Sequence, residues 1–257
     1  MLVRSASPWR EQDEKVIREV IDQDCYDLAS LADMVNQDDD VAPTIVDVGA
    51  HIGSFAKACE LQFSRLRRRV VYHGFELNAK NVPLLVRNVA AKNFAMFDGR
   101  AFHAAIEQGR TSDEYWFMDS ILKNGDRATA TGASQLRPKG ARPVISDHEV
   151  SAAPAEQIPV IDMMTVVDCF VRGDISILKL DCEGAEFRIL SGPCSWLDSV
   201  SVIVGEYHDR ERWEEFLNNH SRLAMWAYRE VSRREDKPIG IFHLINPNKV
   251  QVGHEHE

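Results

Sequence analysis

Short apolar runs alternate with longer amphipathic stretches along most of this chain, and that alternation limits the possible folds more than any other feature. The apolar runs are, in chain order, VDVG, VVYHGFE, GRAFHAAI, EYWFM, IPVI, DISILKLD and SVSVIVGEY. Stretches with helical spacing, such as SFAKACELQFSRL, follow several of them. The segments REVSRRE and IGIFHLINPN predict a closing pair of strands. Strands that alternate with helices in this way indicate an α/β fold whose mainly parallel sheet is covered on both faces.

Two segments depart from this alternation. Residues 1–40 place apolar side chains such as Val20 and Leu31 near helical spacing, which predicts a helical cap. Residues 119–157 are rich in Gly, Ala, Pro, Ser and Thr and show no sustained period, so we expect a long loop that serves as a lid or substrate-facing insertion. Because the strand–helix pattern resumes afterwards, residues 1–257 are predicted to form a single domain.

The charge of the chain argues against a nucleic-acid partner. Its 257 residues carry a formal net charge of −10, and RLRRR, the only dense basic cluster, is typical of a solvated helix end. No run of eighteen apolar residues and no apolar segment near Met1 is present, so we expect no membrane association and a cytoplasmic location. Five scattered cysteines without a C-x-x-C pair suggest neither a disulfide framework nor a zinc knuckle.

The first strand leads directly into the turn DVGAHIG. Gly49 and Gly53 let the backbone turn tightly and approach a ligand, and the following helix offers free N–H groups. No lysine of a phosphate-binding loop follows, and His51 and Ser54 stand where a dinucleotide-binding loop has glycines. With Asp47 before it, this turn suits a ligand that carries a cation and a ribose. A purely structural turn between strand and helix is the alternative.

The next two strands end in further candidate ligand contacts. Glu76 closes the second strand, where a carboxylate can accept hydrogen bonds from both hydroxyls of a ribose. Capping of the next helix is the alternative for Glu76, although Asn78 is equally suited to that role. In the third strand, His103 precedes the small Ala104, which leaves room for a flat ring such as adenine. A structural role for His103 is the alternative.

Acidic residues gather after two later strands. Asp181, Glu183 and Glu186 follow the apolar run ISILKL, and Glu206 and His208 end the next strand. Carboxylates at a buried strand end are costly unless a cation meets them, and the few nearby Lys and Arg offer no obvious partner. Because the carboxyl ends of parallel strands form the ligand-binding edge of such sheets, we expect these groups at a functional site.

Taken together, the motifs DVGAHIG, FELN, KLDCEGAE and GEYHD resemble the FkbM-type methyltransferases, which use S-adenosylmethionine. The resemblance runs from about Thr44 to the C-terminal strand pair. It implies a Rossmann-like class I methyltransferase fold, with a mainly parallel seven-stranded sheet, helices on both faces and a reversed last strand. It also implies that the glycine turn holds the methionine end of the cofactor. The cofactor-binding residues expected on this basis are Asp47, Gly49, His51, Gly53, Ser54, Glu76, Leu77, His103, Ala104 and Asp181.

The implied reaction is methyl transfer to a hydroxyl of a small molecule or sugar, which requires alignment of the reactants and removal of a proton. The candidate catalytic groups are Asp181, Glu183, Glu206 and His208, and the sequence does not rank them as the base. We expect no metal; the alternative is a divalent cation held by Asp181, Glu183 and Glu206. The alternative functions are a methyltransferase fold that binds without turnover and an NAD-dependent oxidoreductase.

Overall fold

A computed structural model describes most of the chain. The described residues are 1–5, 9–35, 41–90, 96–109, 112–122, 134–138, 150–152, 156–192, 194–235 and 238–250. Near the N-terminus, α1 (Trp9–Ile17) continues into a π-helical turn (Arg18–Asp22), and α2 (Leu28–Met34) follows. Val20 and Leu31 are buried in the same apolar cluster as residues of the central sheet. The helical character predicted for this segment is confirmed in its described residues.

The central sheet has seven strands. The strands of the described chain are β1 (Thr44–Val48), β2 (Val70–Glu76), β3 (Phe97–His103), β4 (Ala105–Glu107), β5 (Ser112–Leu122), β6 (Ser134–Pro138), β7 (Val150–Ala152), β8 (Glu156–Asp162), β9 (Ile175–Leu180), β10 (Val200–Tyr207), β11 (Ala227–Arg233) and β12 (Gly240–Ile245). The central sheet has the order β11-β12-β10-β9-β1-β2-β3. Only β12 runs antiparallel to its neighbours in this sheet, while the other neighbours pair in parallel. The predicted sheet with its reversed last strand is confirmed.

Helices cover both faces of this sheet. The remaining α-helices of the described chain are α3 (Ser54–Arg65), α4 (Val82–Val89), α5 (Met163–Phe170), α6 (Glu186–Leu190) and α7 (Arg210–Asn219). Successive strand residues point to opposite faces. Val46 packs in a cluster with α5, α6 and α7, whereas its neighbour Ile45 packs in a second cluster with α2, α3 and α4. No helix in the described part of the chain is long and apolar enough to cross a membrane.

A smaller sheet occupies part of the segment that the sequence predicted to be a loop. β5 pairs antiparallel with β6, β7 and β8, and β8 pairs in parallel with β4. The expectation of an irregular segment over 119–157 is therefore wrong for its described residues. Strand pairing is made by backbone N–H and C=O groups, so a segment without apolar periodicity can still form a ladder. The proposed role as a lid stays a prediction.

Candidate active site

A cavity of about 860 Å³ lies at the edge of the central sheet where β1, β2, β9 and β10 end. The loops after these strands form part of its lining, and the N-terminal helical segment with Tyr26 forms another part. The predicted site residues found in the lining are Gly49, His51, Glu76, Leu77, Ala104, Asp181, Glu183, Glu206 and His208. Four others, Asp47, Gly53, Ser54 and His103, lie outside it.

Gly49 allows three strand ends to meet at the cavity. Its φ is +82°, and a Cβ at this position would lie 1.9 Å from the carbonyl oxygen of Asp181. The N–H groups of Gly49 and Ala50 both donate to the carbonyl oxygen of Phe75 at 3.0 Å. The turn therefore joins the ends of β1, β2 and β9, and a larger residue would force them apart.

Asp47 serves the core and not the cavity. Its carboxylate is completely buried, accepts a hydrogen bond from the Lys179 ammonium at 2.9 Å and accepts another from the Tyr72 hydroxyl. Lys179 is also buried, and although burial opposes its charge, Asp47 and Asp181 raise the pKa of its ammonium. The expected cofactor contact of Asp47 is not supported by this geometry, because a buried charge needs a buried partner and Lys179 occupies it.

Gly53 directly precedes α3 and Ser54 is its first residue, and both lie outside the cavity lining. Gly53 has φ +90°, and a Cβ there would lie 3.2 Å from the Cδ1 atom of Leu85. Ser54 is buried, and its hydroxyl has no partner among the described residues. Gly53 therefore lies against α4, and neither residue reaches the cavity.

Glu76 faces the cavity from the end of β2. Its Oε2 accepts a hydrogen bond from the His51 N–H at 2.7 Å, and its Oε1 accepts one from the Asn78 N–H at 2.7 Å. The amide of Asn81 also donates to Oε1, at 3.3 Å. Burial raises the pKa of Glu76 to about 7, although these donors act to lower it. Its carboxylate is thus fixed in orientation and retains acceptor capacity toward the cavity.

His51 is fixed from its other side by the N-terminal residues. The Arg4 guanidinium lies 3.2 Å from His51 Nε2, donates to the Asn81 amide oxygen at 3.1 Å and forms an ion pair with the buried Asp13. Burial and the charge of Arg4 lower the pKa of His51 to about 4, so the ring is neutral at neutral pH. Arg4 thereby braces two of the three residues that bind Glu76, His51 and Asn81. Sequence reasoning missed Arg4 and Asp13, whose contact with the turn is purely tertiary.

The end of β3 places Ala104 at the cavity and His103 beside it. The His103 ring has its Nε2 3.1 Å from the carbonyl oxygen of Leu77, outside the cavity lining. Ala104 is in the lining together with Leu77. The structural role that the sequence left open for His103 is therefore the one the geometry favours, because alternate residues of a strand point to opposite sides.

Asp181 is held in its charged form. Its Oδ2 accepts a hydrogen bond from the Tyr26 hydroxyl at 2.7 Å and lies 3.7 Å from the Lys179 ammonium. Burial alone would raise the pKa of Asp181, but Lys179, Tyr26 and nearby histidines bring it below the ordinary value. The expectation that Asp181 lacks a basic partner was wrong. Lys179 was visible in the sequence as the single charge inside an apolar strand, whereas Tyr26 gave no signal.

A histidine lies between two carboxylates at the end of β10. His208 Nε2 lies 3.1 Å from Glu183 and 3.6 Å from Glu206. Burial disfavours the imidazolium, but the hydrogen bond and charge of Glu183 raise the pKa of His208 to about 9. Burial and the charge of Asp181 raise the pKa of Glu206 to about 7. At neutral pH the histidine is therefore the protonated member and Glu206 can exchange a proton.

Glu186 does not join this group. It begins α6, is buried, and accepts a hydrogen bond from the Cys182 N–H at 2.7 Å. Glu183 lies in the preceding turn with φ +55°, so the two glutamates do not share a helical face although they are three residues apart. The turn separates them and sends Glu183 alone toward His208.

The ligand atoms of Asp181, Glu206 and His208 lie within 4.8 Å of one another. This spacing is compatible with a divalent cation, but the set differs from the alternative drawn from the sequence, since His208 takes the place of Glu183. His208 Nε2 is already engaged by Glu183 at 3.1 Å. These contacts suit the sharing of a proton among Glu183, Glu206 and His208.

This sheet order, with a ligand-sized cavity at its carboxyl edge, is that of the class I methyltransferase fold. The chain belongs to the methyltransferase FkbM domain family, whose model matches residues 47–233. It is accordingly an S-adenosylmethionine-dependent methyltransferase by family, and S-adenosylmethionine is its cofactor. No curated protein sequence matches the chain.

Several solved structures are similar to this one at low sequence identity. An rRNA methylase from Streptococcus thermophilus is 8% identical, with 84% of this chain and 91% of that chain covered and a TM-score of 0.44. Methyltransferase FkbM from Methylobacillus flagellatus is 13% identical, with 79% and 43% covered and a TM-score of 0.44. Magnesium protoporphyrin IX methyltransferase from Synechocystis, with bound SAM, is 7% identical, with 92% and 81% covered and a TM-score of 0.44.

Proposed function

We propose that this protein transfers a methyl group from S-adenosylmethionine to a hydroxyl of a small molecule or sugar, with Glu206 as the base. The observation that carries the proposal is the grouping of Glu206 with His208 and Glu183, at 3.6 and 3.1 Å from the histidine ring nitrogen, in the same cavity as Glu76. The cavity thus combines an acceptor for ribose hydroxyls with a titrating carboxylate.

The cavity lining fits the cofactor. Glu76 has one carboxylate oxygen bonded to His51 and the other to Asn78 and Asn81, and its remaining lone pairs suit two ribose hydroxyls. Leu77 and Ala104 offer an apolar surface for the adenine ring. Gly49 brings the backbone close to the methionine end. These residues would hold the cofactor, and His51 would contribute through its N–H bond to Glu76.

Asp181 would stabilise positive charge and would not act as the proton acceptor. When bound, the cofactor supplies an electrophilic methyl group on a sulfonium cation. Because Lys179 and Tyr26 keep the pKa of Asp181 below its ordinary value, this carboxylate stays ionised and is a poor proton acceptor. Its role would be to hold positive charge near the reacting atoms.

The pKa values rank the candidate bases that the sequence left unranked. A general base works best when its pKa lies near the operating pH. Glu206, with a pKa of about 7, meets this condition, whereas His208, with a pKa of about 9, carries a proton at neutral pH. Glu206 would take the proton of the acceptor hydroxyl, and the His208 imidazolium, held by Glu183, would orient both partners.

The acceptor class follows from size and charge. A cavity of about 860 Å³ falls within the range of roughly 300–1,000 Å³ that small-molecule sites occupy. The net charge of −10 disfavours a polyanion as long as nucleic acid. A small hydroxyl-bearing acceptor meets both conditions, and the same family assignment favours methyl transfer over an NAD-dependent oxidation.

Labelled cofactor tests this proposal. The full chain is incubated with methyl-labelled S-adenosylmethionine and a small-molecule extract, and mass spectrometry identifies labelled products. We expect labelled ethers with the wild-type protein and a loss of about 10²–10⁴-fold in rate with Glu206→Gln. Glu211→Gln, on the exposed face of α7, is the control and should keep full activity. Cofactor binding without any labelled product would show a binding module, and labelled RNA would show a different acceptor class.

A further inference from the structure

The order of strands divides the cavity into two halves. Gly49 and Glu76 follow β1 and β2, on the side of the sheet that ends in β3. Glu206 ends β10, Arg212 lies in α7 directly after it, and Arg233 ends β11 at the opposite edge of the sheet. The cofactor contacts proposed above lie in the first half, so the second half is available to the acceptor.

Arg212 and Arg233 stand out among the basic residues of this second half. Neither has a carboxylate within ion-pair distance among the residues that the structure describes. By contrast, Arg234 pairs with Glu19 at 3.4 Å, and Arg188, elsewhere in the lining, pairs with Glu107 at 3.0 Å. Both Arg212 and Arg233 are exposed at the lining of the same cavity, so a solute in the cavity can reach them.

Arg212 has an aromatic contact beside the cavity, and Arg233 is exposed at its lining. The central carbon of the Arg212 guanidinium lies 4.2 Å from the centre of the Phe187 ring, a cation–π contact. β11 has a register shift between Glu230 and Ser232, and residues 232–234 all line the cavity after it. The fork of N–H donors on a guanidinium group matches the geometry of phosphate or carboxylate oxygens.

We propose that the methyl acceptor carries an anionic group, a phosphate or a carboxylate, which Arg212 and Arg233 bind while the acceptor hydroxyl lies beside Glu206. This inference rests on the proposed function for the identity of the cavity as a methyl-transfer site. The carboxylate of the cofactor is a second source of the same chemistry. The sheet order favours the acceptor, because Glu76 and the glycine turn occupy the other half.

Inorganic phosphate is the probe, and isothermal titration of the full chain is the measurement. The protein is first saturated with S-adenosylhomocysteine and then titrated with phosphate. We expect saturable binding at one site, weakened about tenfold or more by Arg212→Gln and by Arg233→Gln, because each removes charge-assisted hydrogen bonds. Arg210→Gln is the matched control, since this arginine lies on the same helix but pairs with Glu214 outside the cavity lining. Arg212→Lys, which keeps the charge but not the fork, should bind phosphate with intermediate affinity.

Three results would overturn the inference: no phosphate binding with or without S-adenosylhomocysteine, equal binding by wild type and both glutamine variants, or phosphate binding that occurs only in the absence of S-adenosylhomocysteine. The last result would assign the arginines to the carboxylate of the cofactor, and the variants would then bind S-adenosylhomocysteine more weakly. Failure of the wild-type protein to bind S-adenosylhomocysteine would instead overturn the proposed function. Unchanged S-adenosylhomocysteine affinity in each variant shows that it is folded, so a loss of phosphate binding is specific.

Discussion

Asp47 and Lys179 form a charge pair that the protein uses to hold its sheet together beneath the cavity. Asp47 Oδ1 and Lys179 Nζ lie 2.9 Å apart, and both side chains are almost completely excluded from water. A buried charge that loses its partner typically costs about 3–5 kcal/mol. The pair links β1 to β9, which carry the glycine turn and Asp181 respectively, so it also fixes the distance between two parts of the site.

Asp47→Asn should lower the free energy of unfolding by about 3 kcal/mol, because Asp181 at 3.7 Å would remain as the only carboxylate that the structure describes near the Lys179 ammonium. Urea unfolding followed by circular dichroism measures this change. Asp98→Asn is the control, since its pair with Arg69 is exposed and should contribute less than about 1 kcal/mol. Equal effects of the two substitutions, with weaker cofactor binding by Asp47→Asn, would instead return Asp47 to the cofactor site.

The pH dependence of the reaction tests the roles of Glu206 and His208. With the acceptor found by labelling, kcat should rise with pH through about 7 as Glu206 loses its proton, and fall above about 9 as His208 loses its own. Glu183→Gln should move the falling limb to lower pH, because Glu183 is the main group that raises the pKa of His208. Glu211→Gln should move neither limb.

A rate that is independent of pH between 6 and 10 (roughly one unit beyond each pKa) would contradict these roles. If the fall in kcat at high pH is unchanged in Glu183→Gln, His208 is not the group whose deprotonation lowers the rate. The alternative scheme has a divalent cation held by Asp181, Glu206 and His208, and EDTA tests it. Activity that is lost on adding EDTA and regained on adding magnesium would support metal binding in place of proton transfer by Glu206. We expect no effect of EDTA.

At the scale of elements, the N-terminal segment is part of the site and not only a cover. Tyr26 donates to Asp181 at 2.7 Å, and its own carbonyl oxygen lies 2.8 Å from the Nε2 atom of the buried His243 in β12. Arg4 connects Asp13 to His51 and Asn81, which both bind Glu76. The first 26 residues therefore reach both the cofactor half and the acidic half of the cavity.

Arg4→Gln should weaken the binding of S-adenosylhomocysteine by about 1–3 kcal/mol, because His51 and Asn81 lose the group that braces them against Glu76. Isothermal titration measures this effect, and the urea midpoint of the same variant shows how much is general destabilisation. Arg10→Gln, whose ion pair with Glu14 is exposed on α1, is the matched control. Cofactor affinity equal in both variants would limit Arg4 to a structural role.

The sequence predicted the elements better than the directions of their side chains. Buried parallel strands appear as apolar runs, so the order of strands and helices and the cluster at Asp181 and Glu206 could be predicted. Whether a residue at a strand end faces the cavity depends on pleat and register, so the sequence alone could not show that Asp47 and His103 lie outside the cavity lining. Contacts such as that of Tyr26 with Asp181 join distant parts of the chain and leave no local pattern.

In the molecule as a whole, the proposed binding and catalytic residues lie at one edge of the central sheet. The strand order places the residues that we propose for ribose and adenine on one side of β1 and the titrating carboxylates on the other, with Gly49 and Asp181 between them. A molecule bound across this edge would meet both halves, as ligands do at the carboxyl ends of open α/β sheets. We propose that Glu76 anchors the cofactor at this edge.

Isothermal titration of the full chain with S-adenosylhomocysteine tests that claim most directly, since it requires no knowledge of the acceptor. We predict binding at one site per chain, no binding of NAD, and a loss of about 1–3 kcal/mol in Glu76→Gln, because charge-assisted hydrogen bonds to the ribose are removed. Glu214→Gln, an exposed glutamate on α7, should bind like the wild type. Absence of binding by the wild-type protein, or equal affinity in Glu76→Gln, would contradict the account.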